Sequence, residues 1–393
     1  MRAARPAPLL AMLVLAGAGL LAGCGKGGAG SAAGGGPTRK IAPLTAQGAV
    51  SVVTRNTTRL GGADAATDAA AVARTVYPAL TVATRPQLVV LVDEHDWPAA
   101  LAASVLAGAP LNAPILYSVG NTLPAVSREA LEALDPLGAS ALGGIQVLRI
   151  GTTAPVPKGY ATQTLPAAEA SVTAATLERL AHSAGAATPH QVIVVPMAAP
   201  RALQMPAAGL AADSATPIVF VSAARLPAAS AIVLESLHRP SIYVIDSTAV
   251  SHVALGELRG LGSVVDIAAG AHTSPSDNAI AVARFTDGQF GWGIKEPGHG
   301  LVFANAGRPL DAPAAAPLAA TGEYGPLLLL ESAGQIPDGL AKYLGDIEPA
   351  YSSSYTYRPA EGSYNHGWLM GDEQAISGIV QAEIDSVLEI SPS

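Results

Sequence analysis

The stretch QLVVLVDEHDWPAALAASVLAGAPLNAPILY, residues 87–117, indicates the fold class. It opens with the apolar run from Leu88 to Val92, which lacks polar alternation and suits a strand buried on both faces of a parallel sheet. Trp97-Pro98 then leads into an alanine-rich segment with the composition and proline position of a helix. Residues 113–117 form a second apolar run. The stretch therefore predicts a strand–helix–strand unit.

The same unit occurs twice more along the chain. Each copy has a buried strand, an alanine-rich helix and a second strand preceded by proline. These elements lie at residues 192–195, 205–211 and 216–220 in the second copy, and at 301–304, 311–319 and 325–330 in the third. The prolines are Pro114, Pro217 and Pro326, so the period is about 100 residues, which indicates tandem domains because solenoid repeats are much shorter.

Further strands and helices alternate around each unit. In the first copy we expect a strand at 50–54, a turn at 59–64, a helix at 65–76 and a strand at 146–150. This alternation predicts an α/β fold of doubly wound, mostly parallel sheets. It divides the chain into module 1 at 50–159, module 2 at 160–264 and module 3 at 265–393.

Composition limits the possible partners of the chain. Of 393 residues, half are hydrophobic, only 13% are charged, and the formal net charge is −8. A mildly acidic chain without basic runs is a poor nucleic-acid binder. One cysteine excludes an internal disulfide and a cysteine-based metal site. We expect neither a metal nor another cofactor.

The single cysteine, Cys24, follows a secretory-type leader. Arg2 and Arg5 precede an apolar run too short for a stable membrane span, and Leu21-Ala22-Gly23-Cys24 resembles the processing box of bacterial lipoproteins. We therefore expect residues 1–24 to be a signal ending at a lipidated cysteine, and 25–49 to be a flexible tether. This predicts anchoring at the extracytoplasmic face of the cell membrane. The alternative is an ordinary secretory signal with a chance cysteine.

Several recurrent motifs resemble those of a known family. They are Arg59-Leu60-Gly61-Gly62-Ala63-Asp64, the segment 311–319, the apolar strands that follow proline, and Ala249-Val250-Ser251. Together they resemble the bacterial cell wall-binding repeat 2 family, whose members carry such modules in threes. The resemblance implies Rossmann- or toprim-like modules in a pseudo-threefold arrangement. It also implies non-covalent attachment to an anionic wall polymer or peptidoglycan.

The first candidate site is the polar loop Asp93-Glu94-His95-Asp96 with Trp97, directly after the first buried strand. Ligands of open α/β sheets bind at the carboxyl ends of strands, and a histidine among carboxylates can act as a base or bind a metal. We favour the simpler interpretation, a solvated loop whose acids favour the start of the next helix.

The second candidate is the pair Arg308 and Asp311, at the matching place in module 3. Arg308 suits anion contact, although a surface ion pair or helix cap is the simpler interpretation. The tyrosine- and serine-rich insert at 350–358 has no counterpart in the other modules and is a further candidate for carbohydrate or protein recognition, with a plain surface loop as the simpler alternative.

The sequence predicts a non-enzymatic, lipid-anchored envelope protein that binds cell-wall polymer. No nucleophile elbow, phosphate-binding loop or metalloprotease pair appears beyond the leader and tether. Two alternatives are a ligand-binding lipoprotein of the solute-capturing type and an envelope hydrolase using Asp93, His95 or Asp96.

Overall fold

The computed structural model describes residues 50–267, 274–320, 324–351 and 363–392. It begins with an antiparallel hairpin of β1 (Val50–Val53) and β2 (Thr57–Gly61), followed by helix α1 (Ala65–Val76). The predicted strand and helix are confirmed. The predicted turn at 59–64 is wrong at its start, because residues 59–61 continue β2.

The first sheet has four parallel strands in the order β4-β3-β5-β6. Its strands and helices run in chain order as β3 (Val89–Asp93), α2 (Trp97–Ala103), β4 (Ile115–Ser118), α3 (Ala125–Leu134), β5 (Val147–Ile150) and β6 (Thr162–Leu165). Strand β3 is the apolar run recognised in the sequence, and it lies between two neighbours, which explains the lack of polar alternation.

The second sheet repeats this order as β8-β7-β9-β10, again parallel. The elements are α4 (Ala170–Ser183), β7 (Gln191–Pro196), α5 (Arg201–Gln204), α6 (Pro206–Ser214), β8 (Ile218–Val221), α7 (Ala228–Ser236), β9 (Ser241–Val244), α8 (His252–Leu261) and β10 (Ser263–Asp266). The buried strand and the alanine-rich helix lie where the repeat predicts them.

The third sheet has the order β12-β11-β14-β2-β1. Its module supplies α9 (Pro275–Arg284), β11 (Gly300–Asn305), α10 (Asp311–Ala319), β12 (Tyr324–Leu330), α11 (Asp338–Asp346), β13 (Ala350–Tyr351), β14 (His366–Met370), α12 (Gly378–Val387) and β15 (Ser391–Pro392). Strands β13 and β15 pair separately in a small two-stranded sheet.

The fourth strand of each sheet comes from the sequence that precedes the next module's first helix. Strand β6 completes the first sheet, β10 completes the second, and β2 pairs in parallel with β14 to complete the third. The expected boundary between residues 159 and 160 therefore falls inside the first sheet. Because each module supplies one strand to the sheet of another module, the three modules are linked in a closed cycle.

The alanine-rich segments meet where the three modules come together. Ala107, Ala212, Ala316 and Ala319 form one buried cluster from the three equivalent segments. At Gly108, an added Cβ would lie 2.4 Å from the carbonyl oxygen of Ala212. Small side chains allow the backbones to approach closely, which explains why these helices are so rich in alanine.

Other expectations lie outside the described residues. These are the leader, the tether up to residue 49, and most of the 350–358 insert. Within the described ranges, no helix combines the length and apolar character needed to cross a bilayer.

Enlarging a side chain in the alanine cluster will destabilise the fold. Ala316→Leu adds three carbon atoms where no space exists, and we expect it to lower the free energy of unfolding by about 1–3 kcal/mol. Ala228→Leu, on an exposed helix position, is the matched control and should change it by less than about 0.5 kcal/mol. Urea titration of both variants measures this; equal effects would refute a tightly packed cluster.

Candidate functional site

The acidic loop after β3 is organised by local hydrogen bonds. Asp93 accepts from the backbone N–H groups of His95 and Gly120 at 3.1 and 3.0 Å, and lies 2.9 Å from the His95 ring nitrogen Nδ1. Asp96 caps α2, accepting from the N–H of Ala99 at 3.1 Å. The two carboxylates thus stabilise a turn and a helix start.

Hydrogen bonding and burial shift the pKa values of this loop. Burial would raise the pKa of Asp93, but the hydrogen bonds from His95 and Gly120 outweigh it and lower that pKa. Hydrogen bonding to Asp93 raises the pKa of His95, whose ring is exposed. Burial raises the pKa of Glu94. In the part of the chain that the structure describes, no group of three or more metal-binding side chains occurs.

Trp97 does not face solvent with the rest of this loop. Its side chain is buried, and its indole N–H donates to the Oε1 of Gln204 at 2.8 Å. Gln204 in turn donates to the carbonyl of Ala199 at 2.7 Å. Trp97 therefore joins module 1 to module 2, so the structure separates it from Asp93, His95 and Asp96.

Arg308 and Asp311 meet a residue that sequence reasoning missed, the buried Asp68 of α1. The Nε of Arg308 donates to Asp311 at 2.9 Å, and its NH2 group contacts the carboxylate of Asp68. Its NH1 group donates to the carbonyl of Ala63 at 2.9 Å. All three guanidinium nitrogens are thus engaged within the protein, at the contact between modules 1 and 3.

Asp68 and Asp311 are two buried carboxyl groups that both contact Arg308. Burial, followed by the nearby Asp311, raises the pKa of Asp68 to about 9, despite the opposing effect of Arg308. Burial also raises the pKa of Asp311. One arginine can balance one negative charge, so the pair retains a proton at neutral pH. Asp311 Oδ1 is buried and has no hydrogen-bond partner among the described residues.

A glycine turn gives Asp68 its place. The N–H of Gly62 donates to Asp68 Oδ1 at 2.5 Å. Gly61 has a φ of 118°, and a Cβ at that position would lie 2.0 Å from Asp68 Oδ1. Glycine is therefore required there both by conformation and by space. The Leu60-Gly61-Gly62 motif seen in the sequence therefore makes room for Asp68 and donates a hydrogen bond to it.

Arg59 is the second buried charge at this contact. It lies in β2 with 1% exposure and donates to the Oε1 of Gln381 at 3.0 Å. It also donates to the carbonyls of Gly371, Asp372 and Ile376 at 3.1, 2.7 and 2.7 Å. Burial lowers its pKa. This arginine binds β2 to the loop after β14.

Asp385 of α12 holds the β1–β2 turn. It accepts from the Thr54 hydroxyl at 2.5 Å and from the Asn56 N–H at 2.7 Å. Beside it, Arg55 pairs with Glu389 at 2.7 Å. The N-terminal hairpin is thus tied to the last helix of module 3.

The strand ends of module 2 differ from those of the other two modules. Arg201 follows β7 and Arg225 follows β8; both are exposed, and neither has a side-chain partner among the described residues. The acids nearby are engaged internally: Glu257 accepts from the N–H of Leu226 at 2.6 Å, and Asp246 accepts from the N–H of Thr248 at 3.0 Å. Among the described residues, module 2 thus presents two exposed arginines at this edge.

Comparison with known proteins agrees with this architecture. Residues 59–159 match the sequence profile of cell wall binding domain 2, CWB2. Among solved structures, the chain is similar to Cwp6 from Clostridium difficile, with a TM-score of 0.66, 17% identity, and coverage of 89% of this chain and 51% of that one. It is also similar to Cwp8 from Clostridium difficile, with a TM-score of 0.60, 17% identity, and coverage of 85% and 52%. No curated protein matches the sequence.

The sequence similarity to cell wall binding domain 2 covers residues 59–159. At 17% identity, the structural matches establish the fold, and the chain spans about half the length of the two solved structures. The expected fold class of tandem α/β modules with mostly parallel sheets is confirmed.

The buried carboxyl pair makes stability depend on pH. A carboxyl pKa raised from 3.8 towards 9 contributes stability below the unfolded-state value, and this contribution is lost as pH rises through the folded-state value. Asp68→Asn replaces the titrating carboxyl group by a non-titrating amide of the same shape. We expect the difference in free energy of unfolding, variant minus parent, to rise between pH 5 and pH 9 by up to about 1.4 kcal/mol per pH unit. Urea titrations at several pH values measure this; parallel curves would contradict a raised pKa at Asp68.

Proposed function

We propose that this chain is a non-enzymatic, lipid-anchored protein of the cell envelope that binds cell-wall polymer through its three modules. The match of residues 59–159 to cell wall binding domain 2 carries the proposal. The recurrence of one strand order in all three sheets extends it to modules 2 and 3. The protein would then lie at the extracytoplasmic face of the membrane, in contact with the wall.

The free arginines suggest which module contacts an anionic polymer. At the strand ends of module 1, Asp93 and Asp96 are acids, which repel an anion. In module 3, Arg308 is engaged by Asp68 and Asp311. Arg201 and Arg225 of module 2 follow neighbouring strands, and the N–H of Met197 bonds to the last residue of β8 at 2.9 Å. We therefore assign the main anion contacts to module 2, with phosphate or carboxylate groups as ligands.

A binding role is also favoured by how the candidate catalytic groups are used. Asp96 caps a helix, Asp93 holds a turn, and His95 has Asp93 as its hydrogen-bonded partner. A hydrolase would need an acid or base aimed at a substrate and a group that stabilises the transition state. The loop satisfies its own backbone instead, so we propose no catalytic role for it.

Polymer binding should depend on the free arginines. Arg201→Ala with Arg225→Ala removes two charge-assisted contacts, each worth about 1.5–3 kcal/mol when formed to an anion. We expect the double variant to bind anionic wall polymer at least tenfold more weakly at low salt, measured by co-sedimentation with purified walls. Arg179→Ala with Arg259→Ala removes the same charge from outer helices and serves as control.

Three outcomes distinguish the possibilities. Loss in the first variant alone supports module 2 as the anion site. Equal retention by both variants would refute that assignment while leaving wall binding intact. Absence of binding by the parent chain to walls, before and after extraction of anionic polymer, would refute the proposed function.

Membrane attachment should depend on Cys24. In a bacterial host that processes lipoproteins, Cys24→Ala removes the sulfur to which lipid is added, and each buried CH₂ of an acyl chain contributes about 0.8 kcal/mol to attachment. We expect the variant to move from the membrane fraction to the soluble fraction and to lose the mass of the lipid. Ser31→Ala in the tether should do neither. An unchanged membrane fraction for Cys24→Ala would exclude this anchor.

A further inference from the structure

The segment that completes the third sheet lies far in sequence from the strand with which it pairs. Residues 50–77, which we call the closing segment, comprise β1, β2, α1 and Tyr77. Strand β2 pairs with β14, more than 300 residues away in sequence. The fourth strands of the other two sheets follow directly along the chain, whereas this one bonds to partners near the opposite end.

The contacts of the closing segment are many, polar and specific. Arg59, Thr54, Asn56 and Asp68 bond to residues between Arg308 and Asp385. Helix α1 also packs on β4, α3 and α10. Every one of these partners lies after residue 88, so an identical copy of the chain presents the same complete surface. A closing segment from one copy can therefore make these contacts with another copy.

The connection between α1 and β3 is short and is held at both ends by hydrogen bonds. Tyr77 donates to the carbonyl of Asn112 at 2.5 Å, and Arg85 pairs with Asp135 at 2.8 Å. These contacts fix the two ends of residues 78–84, which we call the hinge. If the closing segment binds a second copy, backbone angles need to change in the hinge alone. Tyr77 then binds Asn112 of that copy, and Arg85 keeps its own Asp135.

The closed hinge is strained and leaves apolar side chains in water. Ala79 has a φ of 52°, in the left-handed region that disfavours residues with a Cβ. Leu80 and Val82 are 75% and 65% exposed. An extended hinge releases Ala79 from that conformation, and two hinges crossing side by side can cover these apolar side chains. Strain in a short hinge is a recognised route to exchange between copies.

We propose that the partner of this surface is a second copy of the chain, and that two copies exchange residues 50–77 to form a closed dimer. Each copy then completes the third sheet of the other with the contacts seen within one chain. The inference stands on the closing contacts and the hinge, and it holds whether or not the chain binds wall polymer.

Single cysteines test the exchange directly. Arg55 and Glu389 pair on the surface across the closure. We would place Arg55→Cys in one sample and Glu389→Cys in another, using the chain from residue 25 onward, which keeps every described residue and lacks Cys24. After the two are refolded together at high concentration and treated with a bismaleimide, which spans the gap left by the two long side chains, we expect a covalently linked heterodimer on a denaturing gel, with light scattering giving twice the chain mass.

The hinge provides matched variants. Ala79→Gly relieves the strain in the closed form at two hinges, so we expect about a tenfold or greater fall in the association constant of the dimer. Ala79→Pro cannot adopt this φ and loses the hydrogen bond from the Ala79 N–H to Thr84, so it should raise the dimer fraction. Ala187→Gly, in the corresponding connection of module 2, should leave it unchanged.

Either of two results would overturn the exchange. One is a monomer at every soluble concentration, for the parent and for Ala79→Pro alike. The other is a dimer in which the bismaleimide does not link the Arg55→Cys chain to the Glu389→Cys chain, although both refold to the parent's circular dichroism spectrum. A linked heterodimer whose population follows the hinge variants supports it.

Discussion

The third sheet depends on the pairing of β2 with β14, because this strand pairing joins the beginning of the described chain to its end. The junctions between consecutive modules need little chemistry of their own. Trp97 bonds to Gln204 at one, and Asn278 bonds to the carbonyl of Leu203 at the other. The contact between module 3 and module 1, which we call the closing junction, has no continuous backbone that positions the two modules. It instead contains buried charges and many directed hydrogen bonds. Unpaired charges in an apolar interior are costly, so only the correct register satisfies them.

One helix position illustrates how the three junctions diverged from a common plan. The fourth residue of α1, α4 and α9 is Asp68, Thr173 and Asn278, and all three are buried. Asn278 and Asp68 each reach the preceding module in the cycle, the former with a neutral amide and the latter with a carboxyl group that pairs with Arg308. The same geometry thus supports a weak neutral contact or a strong charged one.

Much of the fold could be predicted from the sequence, and the reason lies in its apolar runs. Strands β3, β7 and β11 are buried on both faces, so their residues have no polar alternation and are easily recognised. The fourth strands were missed because they hold polar residues: Thr57, Thr58 and Arg59 are buried in β2 through hydrogen bonds to distant partners. The role of Asp68 was missed as well, although an acid among alanines in α1 was a usable signal. Its partner Arg308 lies 240 residues away, a distance that no local pattern can bridge.

The position of the hairpin has a mechanical consequence. Residue 49 leads directly into β1, the outermost strand of the third sheet, whose hydrogen-bonded neighbour is β2. Tension applied through the N-terminal region therefore reaches the closing junction before it reaches the alanine cluster where the modules meet. The first bonds to carry that load are those between β1 and β2 and those of Asp385 to the hairpin turn, ahead of the bonds of Arg59 and Asp68.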